Sequence, residues 1–158
     1  MEMDRKKITE ENLIRCGREE FLEKGYTKAN LRDICRKAGV TTGAFYFSFE
    51  NKEALLGAIL DPVVTEYRKM MYAIAKRERE HPETAEQNER EIMEYICAHR
   101  QECELVLEKC SGTIRYHTTI LLFSSALSFF SLISQFSRKS KMLAYFYKNI
   151  PIFMSINV

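Results

Sequence analysis

Residues 25–56 read GYTKANLRDICRKAGVTTGAFYFSFENKEALL, and this stretch decides the fold. Asn30 stands where a helix N-cap belongs, its side-chain oxygen available to a backbone N–H of the first turn. Asp33 follows three residues later, placed to reach back toward the Asn30 N–H as in a capping box. Leu31, Ile34, Cys35 and Ala38 recur at i, i+3, i+4 and i+7 and form one inward face, leaving Arg32, Arg36 and Lys37 outward. Gly39 is a stop, because glycine enters the left-handed region at little cost. Thr41 then caps a short helix through Ala44, Phe45 and Tyr46. Two short helices joined by a three-residue turn that contains glycine make a helix-turn-helix.

The same periodicity extends outward on both sides. Over residues 9–24, Leu13, Gly17 and Phe21 recur every four residues with Ile14 and Leu22 beside them, which predicts a helix. Thr9 is its expected N-cap, Glu10 and Glu11 suit the positive end of its dipole, and Gly25 ends it in the left-handed conformation. A fourth helix begins near Asn51 with the stripe Leu56, Ile59, Leu60, Val63, Tyr67, Met71 and Ile74. Pro62 inside that stripe predicts a kink or a break. The polar residues 76–88, with Pro82, read as a loop or frayed junction. Periodicity resumes at Glu89, with Ile92, Ile96, His99 and Cys103 on one face, and runs to about Cys110. There is no internal repeat and no strand-like alternation, so the fold class is all-α.

Composition narrows the function classes. The chain has 158 residues, 46% of them hydrophobic, which fits one domain or a small domain joined to a larger one. Residues 1–7 are polar and charged, without an apolar signal segment, and the expected location is cytoplasmic. Cys16, Cys35, Cys97, Cys103 and Cys110 form no C-x-x-C pair and read as reduced thiols, mostly core fillers. His99 and Cys103 are spaced i, i+4, an allowed geometry for two metal ligands, but Cys97 faces elsewhere. No metal and no cofactor is expected. A phosphate loop, a nucleophile elbow and a distinct carboxylate pair are all missing, so no enzyme is expected.

The 25–56 pattern, extended to about residues 8–60, resembles the TetR/AcrR family of transcriptional regulators. The resemblance is carried by Gly25-Tyr26, by Asn30-Leu31-Arg32-Asp33-Ile34, by the run from Ala38 to Tyr46, and by the run from Phe49 to Leu56. A weaker resemblance, at Cys110-Ser111-Gly112-Thr113 with Arg115-Tyr116, is to the ligand domain of one branch of the family. The resemblance implies a three-helix DNA-binding domain over residues 1–51 and a helical ligand-binding and dimerisation domain over 52–158. It places base contacts at Arg32, Thr42 and Ala44, and phosphate contacts at Tyr46 and Lys52. The residues concur. The third helix would enter the major groove, where small Thr41, Thr42, Gly43 and Ala44 allow close approach. Thr42 would bond a base edge, Ala44 would touch a thymine methyl, and Arg32 would read guanine or clamp a phosphate. Thr41 joins the phosphate contacts and Gly43 the base-facing set. Phe45 and Phe49 read as core and Phe47 as partly exposed. Arg5, Lys6 and Lys7 are either a tail that brushes phosphates or a solvated terminus.

Departures from the family pattern are Asn30 for Thr or Ser, Cys35 for Ala, Ser48 for His or Tyr, and an acidic Glu50. The resemblance also implies a small-molecule effector among the later helices, with Tyr67, Met70, Met71, Met93, Tyr95 and His99 as pocket candidates. The expected function is a transcriptional repressor: a homodimer on a pseudo-palindromic double-stranded DNA operator, released by its effector.

The C-terminal part reads differently. All 22 acidic residues lie at or before Glu108, and residues 109–158 carry six basic residues and no acid. Residues 120–136 form an uncharged run with five serines, followed by Arg138, Lys139 and Lys141. Three readings stay open: a buried helix of the regulatory domain, a membrane helix, or a frameshifted or truncated gene. The competing functions are accordingly a membrane-attached interaction protein that uses the helix-turn-helix as scaffold, and a defective truncated regulator.

Overall fold

The computed structural model describes residues 2–109. The apolar run at 120–136 with its three readings, the weaker motif at 110–116 and Cys110 lie outside the described residues. Within them, all regular structure is helical: α1 Glu2–Lys28, α2 Leu31–Lys37, α3 Thr42–Ser48, α4 Lys52–Glu80, α5 Ala85–Ala98 and α6 Arg100–Glu104. A 3₁₀ turn, Pro82–Thr84, joins α4 to α5, and a π turn, Leu105–Lys109, follows α6.

The predicted stripe of α1 is buried at Leu13, Gly17 and Phe21, and Cys16 and Glu20 join it. It packs against α2, α3, α4 and the turn after α6. Gly17 marks the crossing with α4, since a Cβ there would stand 2.7 Å from Leu55 Cδ2. The start of α1 differs from expectation. Thr9 does not cap; it sits inside the helix and its hydroxyl donates to the Arg5 carbonyl at 2.9 Å. Residues 2–8 contain no helix breaker, and Lys6 pairs with Glu10 at i, i+4, so the helix propagates through them. Gly25 does interrupt the helix, but with φ 75° and ψ 157°, not the left-handed helical values expected. That region is open essentially to glycine alone.

Local chemistry sets the next four boundaries as expected. Asn30 Oδ1 accepts from the Arg32 N–H at 2.9 Å. Gly39 has φ 69°, and the pair Gly39 N–H to Arg36 and Val40 N–H to Cys35 closes α2 in a Schellman motif. Thr41 Oγ1 accepts from Ala44 N–H at 3.1 Å, and Asn51 Oδ1 from Ala54 N–H at 2.8 Å. Asp33 is turned to other partners instead of the expected capping box, accepting from Lys24 at 3.1 Å and Arg36 at 2.8 Å.

Of the kink or break expected at Pro62, the break does not occur, since α4 runs through it as one helix. Proline removes one hydrogen bond there, while Ile59, Leu60, Val64 and Tyr67 bury the turns on both sides. Most of residues 76–88 is helix rather than loop. Arg77 donates to Asn88 at 2.7 Å and to Glu91 at 2.9 Å, and fully buried Asn88 donates to Glu78 and Thr84. These bonds pin α4 to α5 as a hairpin. The predicted face of α5 is buried at Ile92 and Ile96, and Cys103 continues it from α6. His99 lies at the break between α5 and α6. Glu102 reaches Arg18 of α1 at 3.1 Å.

Glu20 is a fully buried carboxylate held between Lys24 at 2.6 Å and Lys37 at 2.7 Å, so one acid ties α1 to α2. Burial raises its pKa, but the hydrogen bonds and charges of the two lysines outweigh that and leave it lowered. A carboxyl lowered in the folded state contributes stability above its unfolded pKa and loses it as pH falls through the folded value. Thermal melting should therefore show acid destabilisation below the ordinary value of 4.5. Glu20→Gln is expected to flatten that slope; an unchanged slope would show that other carboxylates carry it.

Candidate nucleic-acid interface

α3 is seven residues long and hangs on one buried ring. Phe45 is fully buried, edge-on to Tyr46 at 5.4 Å and tilted against Phe49 at 5.7 Å. Phe49 is half-buried. With Phe45 inward, Thr42, Gly43, Tyr46 and Phe47 face solvent, at i, i+1, i+4 and i+5 of one helical stripe. Tyr46 is 57% exposed and Phe47 86%. Ala44 is half-buried at the edge of the stripe. Thr41 is exposed, but its oxygen is occupied as the cap of α3. Cys35 is buried, and burial pushes its thiol up.

The three cations of α2 separate cleanly. Arg36 pairs with Asp33, and Lys37 with Glu20 and Glu23 at 2.7 and 3.0 Å. Arg32 is exposed, and among the described residues it is the α2 cation with no ion pair. Its guanidinium is available to an external acceptor.

Lys52 is the expected site residue whose geometry departs most from its expected role. Its ammonium turns inward and donates to the carbonyls of Tyr26 at 2.7 Å and Ala29 at 3.0 Å, with Thr27 at 3.5 Å. It also stands 4.6 Å from the Tyr26 ring centroid. The carbonyls belong to the turn that Gly25 creates, so Lys52 closes the end of α1 onto the start of α4. Burial lowers its pKa. Lys52→Met should cost about 1–3 kcal/mol in a urea melt, because it strands partly buried carbonyls. The same variant should leave the salt dependence of DNA binding unchanged; a shallower slope would return Lys52 to a phosphate.

Three of the effector candidates come together between α4 and α5. Tyr67 is fully buried, its ring 6.0 Å from Tyr95, and Tyr95 lies 4.5 Å from His99. Tyr95 also donates to the Val63 carbonyl at 2.7 Å. Burial pushes the Tyr67 and Tyr95 hydroxyls up to about 12, with nearby anionic groups adding to it. Met70 and Met71 are half-buried on α4, and Met93 is buried on α5. Among the described residues no three His, Cys, Asp or Glu side chains converge as a metal site, and no helix is long and apolar enough to cross a membrane.

Residues 13–59 match the family described as bacterial regulatory proteins, tetR family. The uncharacterised HTH-type transcriptional regulator YvdT of Bacillus subtilis is 40% identical over 55 residues, 35% of this chain and 28% of that protein. The transposon Tn10 TetC protein of Escherichia coli is 46% identical over 52 residues, 33% of this chain and 26% of that protein. The HTH-type transcriptional repressor DhaR of a Mycobacterium species is 36% identical over 59 residues, 37% of this chain and 30% of that protein. The matches thus span under a third of each of these relatives. A crystal structure of a transcriptional regulator from Aquifex aeolicus VF5, described as TerR/AcrR family, superposes with a TM-score of 0.54 at 22% identity, over 72% of this chain and 63% of that one. It shows a shared fold. Residues 13–59 therefore carry a helix-turn-helix similar to that of the TetR family of bacterial regulatory proteins.

Proposed function

We propose that the chain is a DNA-binding transcriptional regulator, with residues 1–51 as the reading head and 52–158 as the regulatory and dimerisation part. The observation that carries this is the outward stripe of α3, Thr42, Gly43 and Tyr46, together with Arg32 of α2, which has no ion pair among the described residues. Short side chains at the start of α3 let its backbone approach base edges. Arg32 bonds a guanine edge or a phosphate, Thr42 a base edge, Ala44 a thymine methyl, and Tyr46 and Thr41 the backbone. Lys52 serves this surface by fixing α1 to α4, not by touching phosphate. A repressor is the favoured direction of control, in keeping with the name of the relative DhaR. It acts as a homodimer on a pseudo-palindrome, and a small molecule binding near Tyr67, Tyr95 and His99 releases it. The contact of Glu102 with Arg18 gives that region a direct link to α1.

The test is a gel-shift series on the DNA upstream of the chain's own gene at rising salt. A complex whose log affinity falls linearly with log salt is expected, with a slope set by the number of phosphates neutralised. No complex at low salt would sink the proposal.

A further inference from the structure

Phe47 is the most exposed of the large apolar side chains in the described residues, at 86%, and none of the expected contacts uses it. It lies on the same stripe as Thr42, Gly43 and Tyr46. Gly43 lies four residues back on the same exposed side, and the absence of a side chain there leaves space beside the ring. The neighbouring Tyr46 carries a hydroxyl that suits a phosphate oxygen. Phe47 carries no donor or acceptor and cannot bond phosphate or the polar atoms of a base. The major-groove edges of the four base pairs offer one apolar group, the C5-methyl of thymine.

We infer that Phe47 is a specificity-determining residue that packs on a thymine methyl in the major groove and selects a T·A pair in each half-site. This rests on the regulator reading and names a base that reading leaves open. Phe47 stands one turn beyond Gly43 on the exposed side of α3, so a helix seated with the Gly43 backbone close to the bases brings Phe47 toward the groove floor about one turn along.

The experiment begins with selection of a preferred duplex from a random pool by the full chain. Each thymine of the selected site is then replaced singly by deoxyuridine, which removes the methyl and leaves pairing intact. Binding is measured for the wild type, Phe47→Ala and Phe47→Leu. For the wild type, one thymine per half-site should show a loss of about three- to fivefold, the worth of one buried methyl. Phe47→Ala should lose that sensitivity at that position alone, and Phe47→Leu should keep part of it. Equal deoxyuridine profiles for wild type and Phe47→Ala would overturn the inference while leaving the regulator reading intact. So would a change of oligomeric mass in Phe47→Ala with an unaltered profile, which would make the ring a protein contact. Failure to select any duplex would overturn both. Phe47→Ala should melt as the wild type does, since the ring adds little to the core.

Discussion

Replacing Phe45 with alanine is expected to lower the stability of the head by about 3–5 kcal/mol, the usual cost of emptying a phenylalanine site in a packed core. The site has few ways to collapse. Phe45 is fully buried, and its ring is in contact range of the two aromatic residues that flank it on α3 and at its C-cap. α3 is too short to persist without this anchor, since isolated helices below about 12 residues are marginal in water. A loss of that size is a large part of the roughly 5–15 kcal/mol that holds a typical domain together. The urea midpoint of Phe45→Ala should fall sharply and DNA binding should disappear with it, whereas Phe45→Leu should lose less of both. A shift below about 1 kcal/mol would mean that the ring is not the anchor of α3.

The second large effect separates binding from folding. Arg32 is exposed and without an ion pair among the described residues, so Arg32→Ala should leave the melting temperature nearly unchanged. If its guanidinium bonds a guanine edge, the variant loses about 1–3 kcal/mol of binding and relaxes selectivity at one base pair. If it clamps a phosphate, binding weakens uniformly across sequences and the salt slope drops by about one. Arg36→Ala is the internal control, because Arg36 is engaged with Asp33. Equal losses in the two variants would contradict the assignment of Arg32 as the free reader of α2.

The boundaries that the sequence made legible are those set by chemistry within a few residues. Asn30, Gly39, Thr41 and Asn51 each act on a backbone group one to three positions away, and each acts in the structure as its identity implies. The apolar stripes of α1 and α2 were legible for the same reason. What escaped depends on partners far along the chain. The family resemblance implies a phosphate contact at Lys52, but its direction is decided by carbonyls 23 to 26 residues earlier. Glu20 looks like surface charge until α2 brings Lys37 to it across 17 residues. The polar segment at 76–88 has no apolar period, and its helices are held by the bonds of Arg77 and Asn88 across the hairpin. Pro62 is tolerated because one lost hydrogen bond weighs less than the buried turns around it. Phe47 reads from the sequence only as partly exposed, since spacing alone does not say how far a ring stands out from a three-helix unit.

The central claim is that α3 and Arg32 read a base sequence rather than hold a generic polyanion. Its most direct measurement is the ratio of dissociation constants for the selected duplex and for a scrambled duplex of the same composition, at about 0.15 M salt. The account predicts a ratio on the order of a thousand or more in favour of the selected site. A ratio near one, with the same salt slope on both duplexes, would contradict it.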